Sequence, residues 1–209
     1  MRSSLNNKLS EGFTIVELLI AMTGFSFILL LVTIVMINIG NIYSKGINQT
    51  RLDDAVRYIS SDLSRQFKYN KVSNFSSSPE DATEDIKAYC IGSTKYTYIT
   101  GYKIGDKYKS RVLQHVMLKT SIQEGESECS PEDLYSNASR GEELIPKNSS
   151  ISFFEVINTG YQYTIKVALA YGDKTAMQNY GYVDVKCDSA NQYYCAVSSL
   201  TTVVSARLN

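Results

Sequence analysis

The 209-residue sequence has no tryptophan, one histidine and three prolines, and its 21 lysines and arginines equal its 21 acidic residues in number. Without net charge, the chain as a whole has no electrostatic attraction to nucleic acid or to a charged membrane. The lone His115 and the absence of a CxxC pair argue against a zinc site. There is also no phosphate-binding glycine loop and no nucleophile elbow. The sequence therefore predicts a protein that is not an enzyme and uses no cofactor.

The remaining titratable candidates favour structural roles. His115 lies in a strand-like pattern, VLQHVML, with no motif around it, and we expect it to be structural and not a general base. Glu142 and Glu143 fall in a stretch rich in serine and acidic residues, where a solvated surface explains them.

No proline precedes Pro79, so nothing forces a break in a helix over the first third of the chain. From Leu18 to Ile37, twenty residues carry no charge, and a helix of that length, about 30 Å, crosses a bilayer core. Glu17 stands immediately before this run. A carboxylate there costs a few kcal/mol unless it is neutralised, so Glu17 either lies at the headgroup level of an ordinary anchor or has a partner of opposite charge.

The residues before the apolar run, MRSSLNNKLSEG, carry Arg2 and Lys8. A secretory signal would place a small-residue cleavage motif after its apolar core, and none is present here. The positive-inside rule predicts a cytoplasmic N-terminus. We therefore expect a single-pass membrane protein whose C-terminal part is extracytoplasmic.

The stretch FTIVELLIA after Gly12 closely resembles the N-terminal signature of type IV prepilins and of the related pseudopilins of type II secretion and competence systems. In that family a short basic leader ends in glycine, and a dedicated peptidase cleaves after it and methylates the new N-terminal phenylalanine. A glutamate stands at the fifth mature position. Gly12, Phe13 and Glu17 match these places, and the resemblance extends to about residue 60.

The resemblance implies four segments: a leader (1–12) removed by prepilin peptidase, a transmembrane and assembly helix (13–39), an amphipathic helix half (40–70) and an extracytoplasmic β-rich head (71–209). It implies a minor pilin in a cell-surface fibre for motility, adhesion, DNA uptake or secretion. The implied partners are other pilin subunits, prepilin peptidase, the inner-membrane assembly platform and, before assembly, membrane lipid. The alternative is a membrane-anchored binding or adhesion protein that does not polymerise.

Apolar residues continue at helical spacing after the charge-free run. They are Ile39, Ile42, Tyr43, Ile47, Leu52, Val56, Ile59, Leu63 and Phe67. This pattern predicts one helix of about 58 residues, with charged residues, including Asp62, on the solvent face of its outer half. A coiled-coil dimer is the alternative, but the spacing is not a sustained heptad.

A serine-rich loop at 73–85 precedes a series of strand patterns. We expect Ala88–Ile104 and Tyr108–Leu118 to form a hairpin that turns at Gly105 and Asp106. The further predicted strands are Ile151–Asn158, Tyr161–Tyr171, Tyr180–Cys187 and Cys195–Val204. The fold prediction is α+β, with the long helix packed on an antiparallel sheet of four to six strands.

All four cysteines lie in the segment predicted to be extracytoplasmic, where disulfides are permitted. Four cysteines allow three connectivities. Cys187 and Cys195 enclose a short loop between two strand ends, which favours their pairing and leaves Cys90 with Cys129.

Two neighbouring segments are opposite in charge. Residues 87–119 contain seven lysines and arginines against Asp106, interleaved with five tyrosines, whereas residues 124–143 contain seven acidic residues against Arg140. Exposed basic and aromatic side chains suit a nucleic-acid contact. The favoured alternative is that the acidic segment covers the basic one and neutralises it, tethered by Cys90 and Cys129.

Overall fold

The computed structural model describes residues 14–71, 75–77, 85–122, 129–136, 141–160, 162–191 and 194–205. The predicted leader and Phe13 lie outside these residues. The chain divides into two compact units, Met1–Ile42 and Tyr43–Asn209.

Helix α1 runs from Ile15 to Tyr69, 55 residues, and confirms the predicted long helix. Its N-terminal part is long and apolar enough to span a membrane. Three hydroxyl side chains in that part donate hydrogen bonds to carbonyl oxygens one turn back, at 2.8–2.9 Å, from Thr23, Ser26 and Thr33. Because these hydroxyls are satisfied within the helix, they add little to the cost of an apolar surrounding.

In the second unit, α1 buries a stripe of five residues: Leu52, Val56, Ile59, Leu63 and Phe67. The apolar residues that precede this stripe at helical spacing, Ile39, Ile42 and Tyr43, are more than half exposed. Within the second unit, strands contact this part of the helix. The Gln49 amide, for example, donates to the Val197 carbonyl at 2.8 Å.

A five-stranded antiparallel sheet covers one side of this stripe, in the order β1-β2-β3-β6-β7. Its strands are β1 (Phe75–Ser77), β2 (Ile86–Ile91), β3 (Thr94–Ile99), β6 (Met117–Ser121) and β7 (Glu142–Glu143). A separate two-stranded ribbon, β4 (Lys107–Tyr108) with β5 (Arg111–Val112), lies in the connection between β3 and β6.

The predicted hairpin of residues 88–118 is wrong in its turn. The chain reverses at Gly92 and Ser93, so β2 pairs with β3, and β3 pairs with β6. Gly92 has a φ of +61°, as the first central residue of a type II′ hairpin turn requires. The tyrosines and threonines that continue past Gly92 have strong strand propensity, which is why the pattern reads as one uninterrupted strand.

A three-stranded antiparallel sheet has the order β12-β9-β8, from β8 (Ser149–Asn158), β9 (Gln162–Tyr171) and β12 (Ala196–Ser205). These strands confirm three of the predicted ones. The strand predicted at Tyr180–Cys187 is wrong, because only the two-residue strands β10 (Met177–Gln178) and β11 (Lys186–Cys187) form there. Asn179 and Gly181 between them adopt positive φ, which ends a strand.

Strand β9 buries the predicted face, but Ala168 and Ala170 on its other face are buried as well. The segment between β10 and β11 explains this. The Tyr180 hydroxyl lies 2.9 Å from the Ser150 hydroxyl, and Gly181 N–H donates to the Ser152 hydroxyl at 3.0 Å. Since Ser150 pairs with Ala170 across β8 and β9, this segment covers the alanine side of the sheet.

The two sheets and the α1 stripe share one apolar core. The single predicted sheet is therefore two, which meet at an isolated bridge between Thr100 and Ile151. The α+β architecture, with a long N-terminal helix packed on antiparallel strands, is confirmed.

Candidate functional site

The first turn of α1 holds Glu17, the charged residue that the sequence places at the start of the apolar run. Thr14 precedes the helix, and its backbone N–H and hydroxyl donate to Glu17 Oε2 at 3.1 and 3.0 Å. The Glu17 N–H returns a bond to the Thr14 hydroxyl at 3.2 Å. This is a capping box. The sequence signal for it, T-I-V-E, was available, but the prediction considered Glu17 only as a charge near the membrane and as an assembly residue, not as part of a helix cap.

The capping box fixes the direction of the Glu17 carboxylate. A side chain at this position would otherwise sample several rotamers, whereas the bonds from Thr14 hold the carboxylate at the N-terminal end of the helix, where negative charge is favourable. Gly12 and Phe13, the predicted processing residues, lie outside the described residues.

The first unit presents an extended apolar surface. The large apolar side chains between Ile15 and Ile42 are all at least 47% exposed, with the lowest exposure at Val32 (47%) and the highest at Ile15 (79%). Contiguous apolar surface of this extent marks a membrane or protein contact. The helix therefore needs lipid, other polypeptide or both around it.

In the second unit, a buried charged cluster joins the helix to the five-stranded sheet. Asp62 is only 4% exposed. It accepts a hydrogen bond from Tyr96 at 2.6 Å, lies 2.7 Å from Lys119 Nζ, and accepts from Arg65 at 2.8 Å. The expectation that Asp62 lies on the solvent face is wrong, because the sheet brings a cation and a hydroxyl to it.

Burial by itself raises the pKa of Asp62, but the hydrogen bonds from Lys119 and Tyr96 outweigh burial, and the net effect holds the pKa below its ordinary value. Burial and the bond to Asp62 raise the pKa of Tyr96 far above its ordinary value. Asp62 is therefore ionised, and Tyr96 is a neutral donor to it.

Glu143 has a different role from the predicted solvated one. Its carboxylate accepts backbone N–H bonds from Val116, Met117 and Ile145 at 3.0–3.1 Å. Burial raises the pKa of Glu143, and these three bonds offset it only in part. His115 Nδ1 lies 3.3 Å from Glu143 Oε2, without the alignment of a hydrogen bond. Glu143 thus fastens β7 to the start of β6.

Both predicted cysteine pairings are confirmed, Cys90–Cys129 and Cys187–Cys195. The first one holds residues 129–136 on the side of the five-stranded sheet that carries Cys90. On that side Lys95, 1% exposed, lies 2.8 Å from Glu132. Arg111 lies 3.4 Å from Asp133, and Lys119 is paired with Asp62.

Two of these ion pairs, those of Lys95 and Arg111, agree with the alternative in which the acidic segment neutralises the basic one. The third joins Lys119 to α1 instead. Three of the seven acidic residues of the acidic segment, Glu124, Glu126 and Glu128, lie outside the described residues. No group of three or more His, Cys, Asp or Glu able to hold a metal ion occurs in the part of the chain that the structure describes.

Comparisons with protein-family models, with curated proteins and with solved structures find no match to this chain.

Proposed function

We propose that this protein is a minor pilin or pseudopilin, a structural subunit without enzymatic activity that enters a helical fibre through α1 and presents its head outside the membrane. The observation that carries the proposal is an exposed apolar helix with Glu17 at its first turn, preceded in the sequence by Gly12 and Phe13. Soluble monomeric domains rarely expose a contiguous apolar surface of this size.

The geometry around Glu17 supports this role. Cleavage after Gly12 creates a positively charged amine on Phe13, one residue before Thr14. The capping box holds the Glu17 carboxylate at this end of the helix. On this proposal, the N-terminal amine of an adjoining subunit approaches the carboxylate there. Two opposite charges in such a low-dielectric setting attract far more strongly than in water.

The pair formed by the Glu17 carboxylate and the N-terminal amine also fixes the axial offset between neighbouring subunits. Aliphatic side chains on neighbouring helices pack at several offsets with similar energy, whereas a buried carboxylate without its partner costs several kcal/mol. Other pilin subunits, prepilin peptidase and the assembly platform are the partners of this proposal, and the membrane holds the subunit before assembly.

One observation favours the second candidate, a membrane-anchored binding or adhesion protein that does not polymerise. The capping box already gives Glu17 hydrogen bonds within its own helix, so the carboxylate does not require a second chain to be satisfied. On this alternative, Glu17 begins the helix at the headgroup level and has no role in assembly.

N-terminal sequencing of the protein from the membrane fraction distinguishes these candidates by whether the leader has been removed. A methylated Phe13 as the first residue supports the pilin assignment. Met1 at the N-terminus of the mature membrane protein contradicts it, because a subunit that keeps its leader has no free amine beside Glu17. Gly12→Arg is the matched variant and should accumulate at full length, since the peptidase pocket that holds the residue before the cut has no room for a side chain.

A further inference from the structure

Strand β12 lies at the edge of the three-stranded sheet and pairs with β9 along its whole length. All ten residues, Ala196–Ser205, keep one register without a bulge. Among the residues that the structure describes, no strand pairs with the other side of β12. The strand also has no charged residue and no proline, the usual devices that protect a sheet edge from another chain. Its free edge is therefore a template for a further strand.

The backbone groups at this free edge belong to alternate residues of β12. The Val197 carbonyl accepts a hydrogen bond from the Gln49 side chain of α1 at 2.8 Å, so it points away from β9. Backbone groups of every second residue point to the same edge, and those of Ser199, Thr201 and Val203 therefore point away from β9 as well. All three residues are exposed, Val203 by 58%.

A cavity of about 290 Å³ lies between α1 and the middle of β12. Its lining residues are Ser198, Ser199 and Leu200 on the strand and Asp53, Val56 and Arg57 on the helix. The cavity leaves space beside the centre of the edge.

The C-terminal tail is too short to cover that centre. Residues 206–209 follow β12 and lie outside the described residues. Four residues span at most about 14 Å, which is less than the roughly 17 Å from Ser205 back to Leu200 along a strand.

The order of side-chain types in β12 is palindromic about Leu200. On each side of Leu200 two hydroxyl residues come first and two apolar residues come next, AVSS before it and TTVV after it. If this strand pairs antiparallel with a copy of itself about Leu200, each residue faces one of its own kind. The pairs are Leu200 with Leu200, Ser199 with Thr201, Ser198 with Thr202, Val197 with Val203 and Ala196 with Val204.

These pairs also agree with the backbone directions. Ser199 and Thr201, whose backbone groups point outward, become hydrogen-bonded pairs, and Leu200 becomes a non-hydrogen-bonded pair, in which side chains lie closer. Hydroxyl pairs and β-branched pairs across neighbouring strands stabilise antiparallel sheets.

Helix α1 runs alongside β12 in the same direction. The Gln49 side chain bonds to Val197, and the hydroxyls of Ser60 and Thr202 lie 2.6 Å apart. Gln49 and Ser60 are about 16 Å apart along a helix axis, and Val197 and Thr202 are about as far apart along a strand. The two elements are therefore aligned over this length.

Two opposite charges flank the centre of β12. With α1 and β12 aligned in this way, Asp53 is level with a point just before Leu200, and Arg57 is level with a point just after it. Antiparallel pairing about Leu200 therefore brings Asp53 of each copy toward Arg57 of the other. The edge is complementary to itself in charge as well as in side-chain type.

We propose that the free edge of β12 is an interface with a second copy of this chain, in which two β12 strands pair antiparallel about a two-fold axis at Leu200. The two three-stranded sheets then form one continuous sheet, and each copy presents the same surface to the other, as a two-fold dimer requires.

The direction of α1 decides which copies can pair in this way. Because α1 follows β12, the N-terminal ends of the two α1 segments lie at opposite ends of the dimer. The interface therefore joins copies that approach from opposite directions, and not neighbours in one membrane. This inference does not rest on the proposed function.

Disulfide cross-linking of the full chain in detergent micelles tests the register. The four native cysteines are paired, so an added cysteine supplies the free thiol. Leu200→Cys should give a cross-linked dimer on mild oxidation, because Cα atoms of a non-hydrogen-bonded pair lie about 4.5 Å apart, within the range of a disulfide. Val203→Cys is the control, because the two copies of residue 203 lie about 20 Å apart along the strands and should not link.

Variants of Thr201 separate strand pairing from association through the apolar part of α1. Thr201→Pro removes an N–H that does not face β9, so the edge strand should still fold. By symmetry the dimer loses two hydrogen bonds, and dimerisation should weaken about tenfold when measured by sedimentation of the full chain in micelles. Thr201→Lys should have a similar effect, because it places like charges near the two-fold axis. Gln162→Lys, at an exposed position of β9, is the control.

A charge exchange tests the contact between the helices. Arg57→Asp should weaken dimerisation, because carboxylates then face each other across the axis. Asp53→Arg combined with Arg57→Asp restores opposite charges and should recover it. A role of these residues within their own chain would not give this recovery.

Three results overturn the proposal. The first is a wild type that stays monomeric at every concentration, or a Leu200→Cys variant that does not cross-link. The second is dimerisation that is unchanged by both Thr201 variants, which would place the contact on the apolar helix. The third is protection of the Ser199, Thr201 and Val203 amides from hydrogen exchange by a strand peptide of unrelated sequence but not by the peptide AVSSLTTVVS, which would assign the edge to a different protein.

Discussion

Asp62 is the residue at which helix and sheet are joined by charge. Its carboxylate is buried, and each of its partners comes from a different place: Arg65 from the same helix, Tyr96 from β3 and Lys119 from β6. Loss of Asp62 would leave Tyr96 and the largely buried Lys119 without their acceptor, whereas Arg65 is exposed to solvent. The cluster therefore specifies how α1 sits on the sheet.

Asp62→Ala should reduce the free energy of unfolding by about 3–5 kcal/mol, because the Lys119 ammonium and the Tyr96 hydroxyl lose their acceptor. Asp54→Ala, at an exposed position of the same helix, is the control and should stay within about 0.5 kcal/mol. Urea unfolding followed by tyrosine fluorescence measures both. An equal small effect of the two substitutions would show that the cluster does not stabilise the fold.

The lowered pKa of Asp62 predicts a dependence of stability on pH. Above about pH 4, the usual carboxyl range of an unfolded chain, Asp62 is ionised in both states and its full contribution is present. As the pH falls further, the unfolded chain takes up a proton while folded Asp62 stays ionised, so stability is lost until the pH reaches the folded pKa.

Comparison with Asp62→Asn isolates this contribution, since other carboxyls titrate in both proteins. The difference in free energy of unfolding between wild type and variant should be constant from pH 7 to about pH 5 and should shrink below pH 4. A difference that stays constant down to pH 3 would mean that Asp62 is not preferentially ionised in the folded state.

Among the elements, the β2–β3 hairpin is the one whose turn touches the C-terminal end of α1. Gly92 has a φ of +61°, and a Cβ at this position would come within 2.1 Å of the Asn70 side chain. Gly105 also has a positive φ, +92°, but a Cβ there would meet nothing within 4 Å. Comparison of alanine substitutions at the two glycines therefore separates the free-energy cost of backbone strain from the cost of the contact with Asn70.

Gly105→Ala should cost about 1–2 kcal/mol, the price of a left-handed conformation for a residue with a Cβ. Gly92→Ala should cost more, because Asn70 must also move. Asn70→Ala in the Gly92→Ala background should recover the excess, as a double-mutant cycle in urea will measure. If the effects of the two substitutions are additive, Gly92 and Asn70 are not in contact in the folded protein.

Each disulfide fastens an irregular segment to a strand. Their sequence separations are 39 residues for Cys90–Cys129 and 8 for Cys187–Cys195. Chain-entropy arithmetic gives about 4 and 2.5 kcal/mol for loops of these lengths. The longer link matters more, because it also holds Glu132 against buried Lys95.

Replacement of both cysteines by alanine in each pair should therefore destabilise the protein more for 90 and 129 than for 187 and 195. Urea unfolding of the two double variants gives the comparison. Mass spectrometry of unreduced peptides from the wild type provides the control, and a peptide that links Cys90 to Cys187 would contradict both pairings.

At the scale of the whole molecule, the chain combines two units with different surroundings. The head has its own core of helix and two sheets, whereas the first unit exposes its apolar side chains. Insertion in the membrane depends on that apolar surface, and the proposed assembly depends in addition on Glu17. The two processes should therefore respond differently to one substitution.

Glu17→Ala should leave membrane insertion and leader removal intact, since loss of a charge favours insertion, and should strongly reduce incorporation into fibres. Thr14→Ala is the matched control: it removes the hydroxyl bonds of the capping box but retains the carboxylate. Shearing of cells and comparison of the fibre and membrane fractions measures the effect. Unchanged incorporation of Glu17→Ala would favour the anchored protein that does not polymerise.

Features that depend on near neighbours in the chain could be predicted from the sequence alone. Helix α1 follows from apolar spacing and the absence of proline, and β9 follows from the strict alternation that begins after Asn158–Gly160. The Cys187–Cys195 pairing follows from a short loop. In each case a local pattern is sufficient, because it is read from residues a few positions apart in the chain.

The tertiary structure decided what depends on distant residues. Asp62 looks like a surface charge until β3 brings Tyr96, 34 residues away, to it, and Glu143 looks solvated until it meets the backbone of β6. The division into two sheets likewise arises from pairing between remote segments. Helical or strand periodicity indicates which face of an element is apolar. It does not indicate which polar groups the rest of the fold will bring to that element, and a charged side chain is buried only where such partners are present.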